Sequence, residues 1–242
     1  MSSSMNTWPG RIARIGGALS LAVLVFALAV VLPAMLGGPT VQSLTDAAGG
    51  TGTSGASGSG QSTGASWSGP KDVFVVGDSL TVGTEPWLAS DLGQQGWTLD
   101  GVDARVGRGV PEGLNILRDQ STPLPDTVVI ALGTNNLGAT SGDVLGWLRT
   151  ARSIVGTRRL IWVNLCLADN AGPRLASYHQ INAALNEYAA DYAVKVADWC
   201  GYATRHDIFP GADGIHYAPA DYRVRAAFYT ATITGSALPA SG

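Results

Sequence analysis

The run Val73-Phe74-Val75-Val76-Gly77-Asp78-Ser79-Leu80 decides the fold class. Its four leading residues are apolar without interruption, the pattern of a strand covered on both faces, and such strands belong to parallel sheets. Gly77 permits a tight exit that a β-carbon would obstruct. That exit delivers the Ser79 hydroxyl to the carboxyl edge of the sheet, where open α/β folds bind their ligands. Helix-like apolar spacing follows over 81–95 (Val82, Trp87, Leu88, Leu92). A helix starting just after Ser79 turns free backbone N–H groups toward any negative charge forming beside it. These residues leave two readings open: Ser79 as a nucleophile, or Asp78 or Ser79 as the helix cap.

Outward from this run, apolar spacing predicts strands at 97–106, 126–132, 160–165 and 194–199. Helices are predicted at 110–119, 144–155, 174–192 and about 219–232. Strand and helix alternating through short connections predict a parallel sheet with helices on both faces and right-handed crossovers.

The chain has 242 residues, a formal charge of −3 and three histidines. Setting aside the N-terminal region leaves about 170 residues, enough for one domain with a full core. Few charges and a slight acidic excess supply no basic field, so nucleic acid is not an expected partner. No zinc-type Cys or His spacing occurs, and neither metal nor cofactor is expected.

Residues 1–14 are polar and carry Arg11 and Arg14 with no acidic residue, whereas 15–36 are apolar almost throughout. A run of roughly 22 residues can cross the roughly 30 Å hydrocarbon core as a helix. Arginines before it and none directly after it place the N-terminus in the cytoplasm and the rest outside. The expectation is a single-pass membrane anchor with an extracytoplasmic domain. The rival is a cleaved signal peptide and a secreted product, although its apolar core is normally shorter and no small-x-small site follows. Residues 37–70, rich in Gly, Ser, Thr and Ala from Ala47 on, read as a flexible linker. About 24 such residues reach on the order of 25–30 Å. The domain is expected over 71–235, with a disordered tail at 236–242.

The positions just past the strand ends hold Ser79, then Gly107-Arg108-Gly109, then Gly133-Thr134-Asn135-Asn136, and, before the last helix, Asp213-Gly214-Ile215-His216. Singly, each has an ordinary explanation as turn, cap or surface residue. Together they make the parts list for acyl transfer at a serine: nucleophile, base, orienting carboxylate and donors for an oxyanion. The three-residue offset lets one turn of backbone bring the Asp213 carboxylate to the His216 imidazole. His179 reads as a solvated helix residue, and His206, beside Asp207, is a competitor for the base.

The four blocks, in this order and spacing, resemble the SGNH (GDSL-type) hydrolases over essentially the whole domain from about Asp72. The resemblance implies an α/β, three-layer, flavodoxin-like fold whose five-stranded parallel sheet has the order 2-1-3-4-5. It implies a triad of Ser79, Asp213 and His216, and an oxyanion hole of the Ser79 amide, a glycine amide and the Asn135 side chain. Gly107 is preferred to Gly109 as the glycine because the predicted second strand leads straight into it. The third block departs from the usual Gly-x-Asn-Asp by ending in Asn136, so a neighbouring carboxylate is missing. Val106-Gly107-Arg108 and Gly133-Thr134-Asn135 look most like extracytoplasmic SGNH domains of bacterial cell-surface O-acetyltransferases. If strands four and five are parallel neighbours, as that fold requires, Cys166 and Cys200 lie within disulfide reach at one edge, and an oxidising compartment lets the bond form. The alternative is two buried free thiols. Arg108 reads as a surface charge in preference to a substrate guide.

The expected function is therefore a membrane-anchored serine esterase or O-acyltransferase acting on acyl, foremost acetyl, esters of cell-envelope carbohydrate, with a monomeric catalytic domain. The alternatives are a lipid-directed esterase and a catalytically silent module that binds envelope polymers.

Overall fold

Successive residues of the first strand serve opposite sides of one sheet. Val73 and Val75 join one apolar cluster, while Phe74 and Val76 join the other, so the uninterrupted apolar run follows from burial on both faces. The computed structural model describes residues 67–240. Among them no helix is long and apolar enough to cross a membrane. The segments predicted at 1–14 and 15–36, and most of the linker, lie outside the described residues.

Five strands, β1 (Asp72–Gly77), β2 (Thr98–Ala104), β3 (Thr127–Ala131), β4 (Arg159–Val163) and β5 (Val194–Ala197), form one sheet in the order β2-β1-β3-β4-β5. Every pairing is parallel. Helices α1 (Ser79–Gln94), α5 (Trp199–Arg205) and α6 (Pro219–Thr234) cover one face, and α2 (Val110–Arg118), α3 (Ser141–Val155) and α4 (Arg174–Tyr188) cover the other. The expected three-layer α/β architecture is the one observed. Each layer is anchored by a fully buried tryptophan, Trp199 on the first side and Trp162 on the second. Their ring N–H groups are satisfied by Tyr217 Oη at 3.0 Å and Leu132 O at 3.2 Å. Truncating either to alanine is expected to cost about 3–5 kcal/mol.

From β1 the chain moves outward to β2 and then crosses back to β3 on the other side of β1. The strand order thus reverses between β1 and β3, and a crevice forms at their carboxyl ends. Ser79 and Gly133 stand at this reversal.

Several boundaries differ from the sequence reading. The fifth strand stops at Ala197, and Trp199, predicted as strand, opens α5 instead. Asp198 accepts the Gly201 N–H at 2.9 Å and caps that helix, a start signal hidden inside an apolar run. The second strand ends at Ala104, leaving Arg105 and Val106 in the following loop. At the termini, Trp67, assigned to the linker, packs on the domain. Its ring lies 4.8 Å from the Arg159 guanidinium and its Nε1 donates to Pro70 O at 2.8 Å. In the predicted tail, Pro239 O accepts from Tyr202 Oη at 3.1 Å.

Candidate active site

The turn after β1 resolves the two readings of Asp78-Ser79 by dividing the work. Asp78 is extended, and its Oδ1 accepts the Leu80 N–H at 3.0 Å, so aspartate caps α1. Ser79 becomes the first residue of α1, half-buried, with its hydroxyl not used for capping and no intrahelical acceptor for its N–H. Gly77 is required by close approach, since a β-carbon there would come within 2.0 Å of Thr81 Oγ1.

Across the crevice, the loop before α6 presents a histidine to this hydroxyl. His216 Nε2 lies 2.9 Å from Ser79 Oγ, and His216 Nδ1 lies 2.6 Å from Asp213 Oδ2. Asp213 Oδ1 accepts the backbone N–H groups of Ile215 and His216, each at 2.9 Å. These bonds hold the Asp213 carboxyl down at about 2, the His216 ring contact being the largest cause and the two N–H donors next. Gly214 is what allows so tight a loop. Its φ is +71°, and a β-carbon would stand 2.7 Å from the Ala171 backbone nitrogen. The loop is closed by Gly211 N–H donating to His216 O at 2.7 Å. Both His216 and Asp213 remain about half exposed, so the crevice is open to a bulky substrate. His206 stacks on Tyr202 at 4.3 Å, and His179 is exposed on α4.

The remaining sequence-predicted residues converge on the same edge. Asn135 Nδ2 donates to Arg108 O at 3.0 Å, joining the turn after β3 to the loop after β2. Gly107 is exposed with a φ of +79°, and a β-carbon there would meet nothing within 4 Å. Gly109 instead precedes α2 and lies against Asn136, whose Nδ2 would be 3.3 Å from such a carbon. Asn136, which stands where the family pattern has a carboxylate, accepts the Val110 N–H on its Oδ1 at 3.0 Å at the start of α2.

Cys166 and Cys200 are disulfide-bonded, with Cα atoms 4.5 Å apart. Cys200 follows the fifth strand as the sequence reading placed it, but three residues past its end and inside α5. The bond braces the histidine loop, since Tyr217, next to His216, donates to Cys166 O at 3.2 Å.

Two features went unread in the sequence. Arg108 is not the surface charge that was expected. It is 3% exposed and paired with Asp103. Beneath the Ser79 turn lies a buried polar layer. Burial pushes the Asp78 carboxyl up, while the Thr134 side chain, then the Leu80 N–H and the Arg225 cation, pull it back part of the way. Arg225, itself buried, donates to Tyr229 Oη at 2.8 Å and lies over the Trp199 ring at 5.1 Å. A charged residue inside an apolar helix carries no sequence mark of what it meets. Among the described residues, no group of three or more His, Cys, Asp or Glu side chains is placed to hold a metal ion.

With this geometry the chain has the fold of the SGNH, or GDSL-type, hydrolases, and 47 solved chains match it. One is the C-terminal catalytic domain of Streptococcus pneumoniae peptidoglycan O-acetyltransferase A, bearing a methylsulfonyl adduct. It is 24% identical over 68% of this chain and 90% of that one, with a TM-score of 0.54. Another is a family 3 carbohydrate esterase from Clostridium thermocellum, 17% identical over 66% of this chain and 94% of its own, TM-score 0.53. TesA is 22% identical over 67% and 97%, TM-score 0.51. No protein-family model matches the chain, and no curated protein matches it significantly.

Proposed function

We propose that this chain is a membrane-anchored, extracytoplasmic serine esterase or O-acyltransferase acting on acyl, foremost acetyl, esters of cell-envelope carbohydrate. The observation that carries the reading is the continuous contact from Ser79 Oγ through His216 to Asp213, at 2.9 and 2.6 Å. Ser79 attacks the acyl carbonyl while His216 Nε2 takes its proton, and Asp213 stabilises the imidazolium that forms. The carbonyl oxygen, now negative, is received by the Ser79 and Gly107 amides and the Asn135 side chain. His216 returns the proton to the departing alcohol, which leaves an acyl-serine. Water or a sugar hydroxyl, deprotonated by the same histidine, then takes the acyl group. Which acceptor prevails depends on how well the bound substrate excludes water.

Carbohydrate is favoured over lipid by the openness of the crevice, where His216 and Asp213 stay about half exposed and leave room for a bulky, hydroxyl-rich substrate. The fold shared with an O-acetyltransferase domain and a carbohydrate esterase supports the same reading.

The lipid-directed reading draws on a different observation. Val106, Leu137 and Phe209 are each more than half exposed, and each lies within four residues of Gly107, Asn135 or Asp213. Chain-length preference separates the two. An acetyl esterase loses activity from acetyl to octanoyl esters, and a lipid-directed enzyme gains it.

The deciding measurement is turnover of a short-chain chromogenic ester by the full chain. Ser79→Ala is expected to lose several orders of magnitude. Retention of most of the activity would remove the serine mechanism. If a phenylmethylsulfonyl fluoride probe failed to label Ser79 in the folded protein, the silent binding module would be favoured instead.

A further inference from the structure

Arg108, in the second block, makes more contacts than a helix staple requires, and two of them reach other blocks, at Gly77 and Asn135. Its Nη2 meets Asp103 Oδ1 at 2.6 Å and its Nη1 donates to Asp103 O at 2.5 Å, both on β2. Its Nε reaches Glu112 on α2 at 3.4 Å. These contacts would suffice to pin α2 against β2. The same Nη1, however, also reaches Gly77 O at 3.3 Å, the carbonyl two residues before Ser79. At the main chain, Arg108 O accepts the Asn135 side-chain amide at 3.0 Å. Arg108 stands between Gly107 and Gly109, so any movement of its backbone moves both candidate glycine amides.

A buried guanidinium is costly unless its donors are met, and its planar fork suits several acceptors at once, whereas an ammonium is a point donor. Asn135 has two N–H bonds on its amide nitrogen. One is spent on Arg108 O, which fixes the plane of the amide and leaves the other N–H to point elsewhere. The Gly77 contact meanwhile sets how far the loop stands from the Ser79 turn.

We propose that Arg108 is a positioning residue for the oxyanion site: its guanidinium and its own carbonyl together set the spacing between the Ser79 turn, the Gly107 amide and the Asn135 side chain. The inference rests on the serine-esterase reading above. Arg108 meets Asp103, Glu112, Gly77 and Asn135, not the Ser79 hydroxyl or the His216 ring. It acts by holding three donors in register, and a donor displaced from the developing charge acts on the transition state more than on the bound ester.

The test is steady-state kinetics of the full chain on a short-chain chromogenic ester for Arg108→Met, Arg108→Lys and Asp103→Asn, with the rate of Ser79 sulfonylation measured beside it. Loss of one oxyanion donor costs on the order of 100- to 1000-fold, and misplacing one should cost less. Arg108→Met is expected to lower kcat about 10- to 100-fold with KM within about threefold, and to slow sulfonylation by a similar factor. Arg108→Lys keeps the charge and the pairing with Asp103 but cannot bridge to Gly77 O, so it is expected to show the same split with a smaller loss of Tm. Asp103→Asn, on a half-exposed side chain, keeps the fold and loosens the same clamp, with a kcat loss between wild type and Arg108→Lys. Val155→Ala, in the core at the far end of α3, controls for stability by lowering Tm with kcat unchanged. A folded Arg108→Lys and Asp103→Asn with wild-type kcat, or losses confined to KM, would overturn the proposal. If Ser79→Ala kept its activity, the underlying mechanism would fail instead, and the two failures are told apart by that variant.

Discussion

His216 Nδ1 lies 2.6 Å from Asp213 Oδ2, and the backbone N–H of the same histidine donates to Asp213 Oδ1 at 2.9 Å. One carboxylate therefore fixes both the ring and the main chain of a residue three positions on. A carboxylate can only accept here, so Nδ1 carries the proton and Nε2 is left to accept from Ser79.

Asp213→Asn separates these two jobs. The amide oxygen can still take the two backbone N–H groups, so the loop and the Tm should change little. The amide NH₂ would face Nδ1 and favour the other tautomer, and kcat is expected to fall about 10⁴-fold. Ester turnover with a thermal melt checks both halves, and activity within tenfold of wild type would contradict the assigned roles.

The acid limb of activity follows from the same contact. The folded Asp213 value of about 2 lies below the ordinary 3.8, so its contribution is fully present above about pH 4 and is lost only as pH falls toward 2. The pH dependence of kcat/KM from pH 3 to 8 should therefore show no step near pH 4 from Asp213. A clear step there would argue against the hydrogen-bonded arrangement.

Asn136 offers a test of sign. Asn136→Asp keeps an acceptor for the Val110 N–H and should leave stability and turnover close to wild type. Asn136→Ala removes it, costs about 1 kcal/mol as lost helix caps do, and lets the turn beside Asn135 shift. Paired melts and kcat values of the two variants decide it; equal losses would mean that the acceptor is not what matters.

The disulfide closes a loop of sequence separation 34. Reduction, or the Cys166→Ala/Cys200→Ala pair, is expected to lower stability by about 3–4 kcal/mol. Because Tyr217 is bonded to the Cys166 carbonyl beside His216, turnover should decline at temperatures below the melt. Denaturant midpoints with and without a reducing agent supply the number.

Much of the fold was legible because burial on two faces writes itself as unbroken apolar runs. Val73–Val76 and the run at 126–132 could be read as central strands on that ground alone. The edge and the cap were harder. Trp199 looked like strand because a buried aromatic residue fits either element, and only the Asp198 cap separates them. Of the candidate site, Ser79, Gly107 and Asn135 were marked by their place after strand ends and Asp213 and His216 by theirs before the last helix, and the resemblance to SGNH hydrolases supplied the oxyanion roles. What Asn136 does was not legible, since its Oδ1 meets the Val110 N–H only through the approach of α2.

The sequence alone determined which elements form and which residue types reach the carboxyl edge, because local periodicity and turn chemistry act over a few residues. Tertiary structure decided what those residues meet. That Ser79 and His216, 137 positions apart, come within a hydrogen bond of each other depends on how α6 packs against α1. That Arg108 is buried depends on the approach of Gly77 and Asp103, which are distant in sequence or on another element. An arginine in a loop looks the same on paper whether water or four carbonyl and carboxylate oxygens surround it, since its environment is set by chain segments that its neighbours in sequence do not specify.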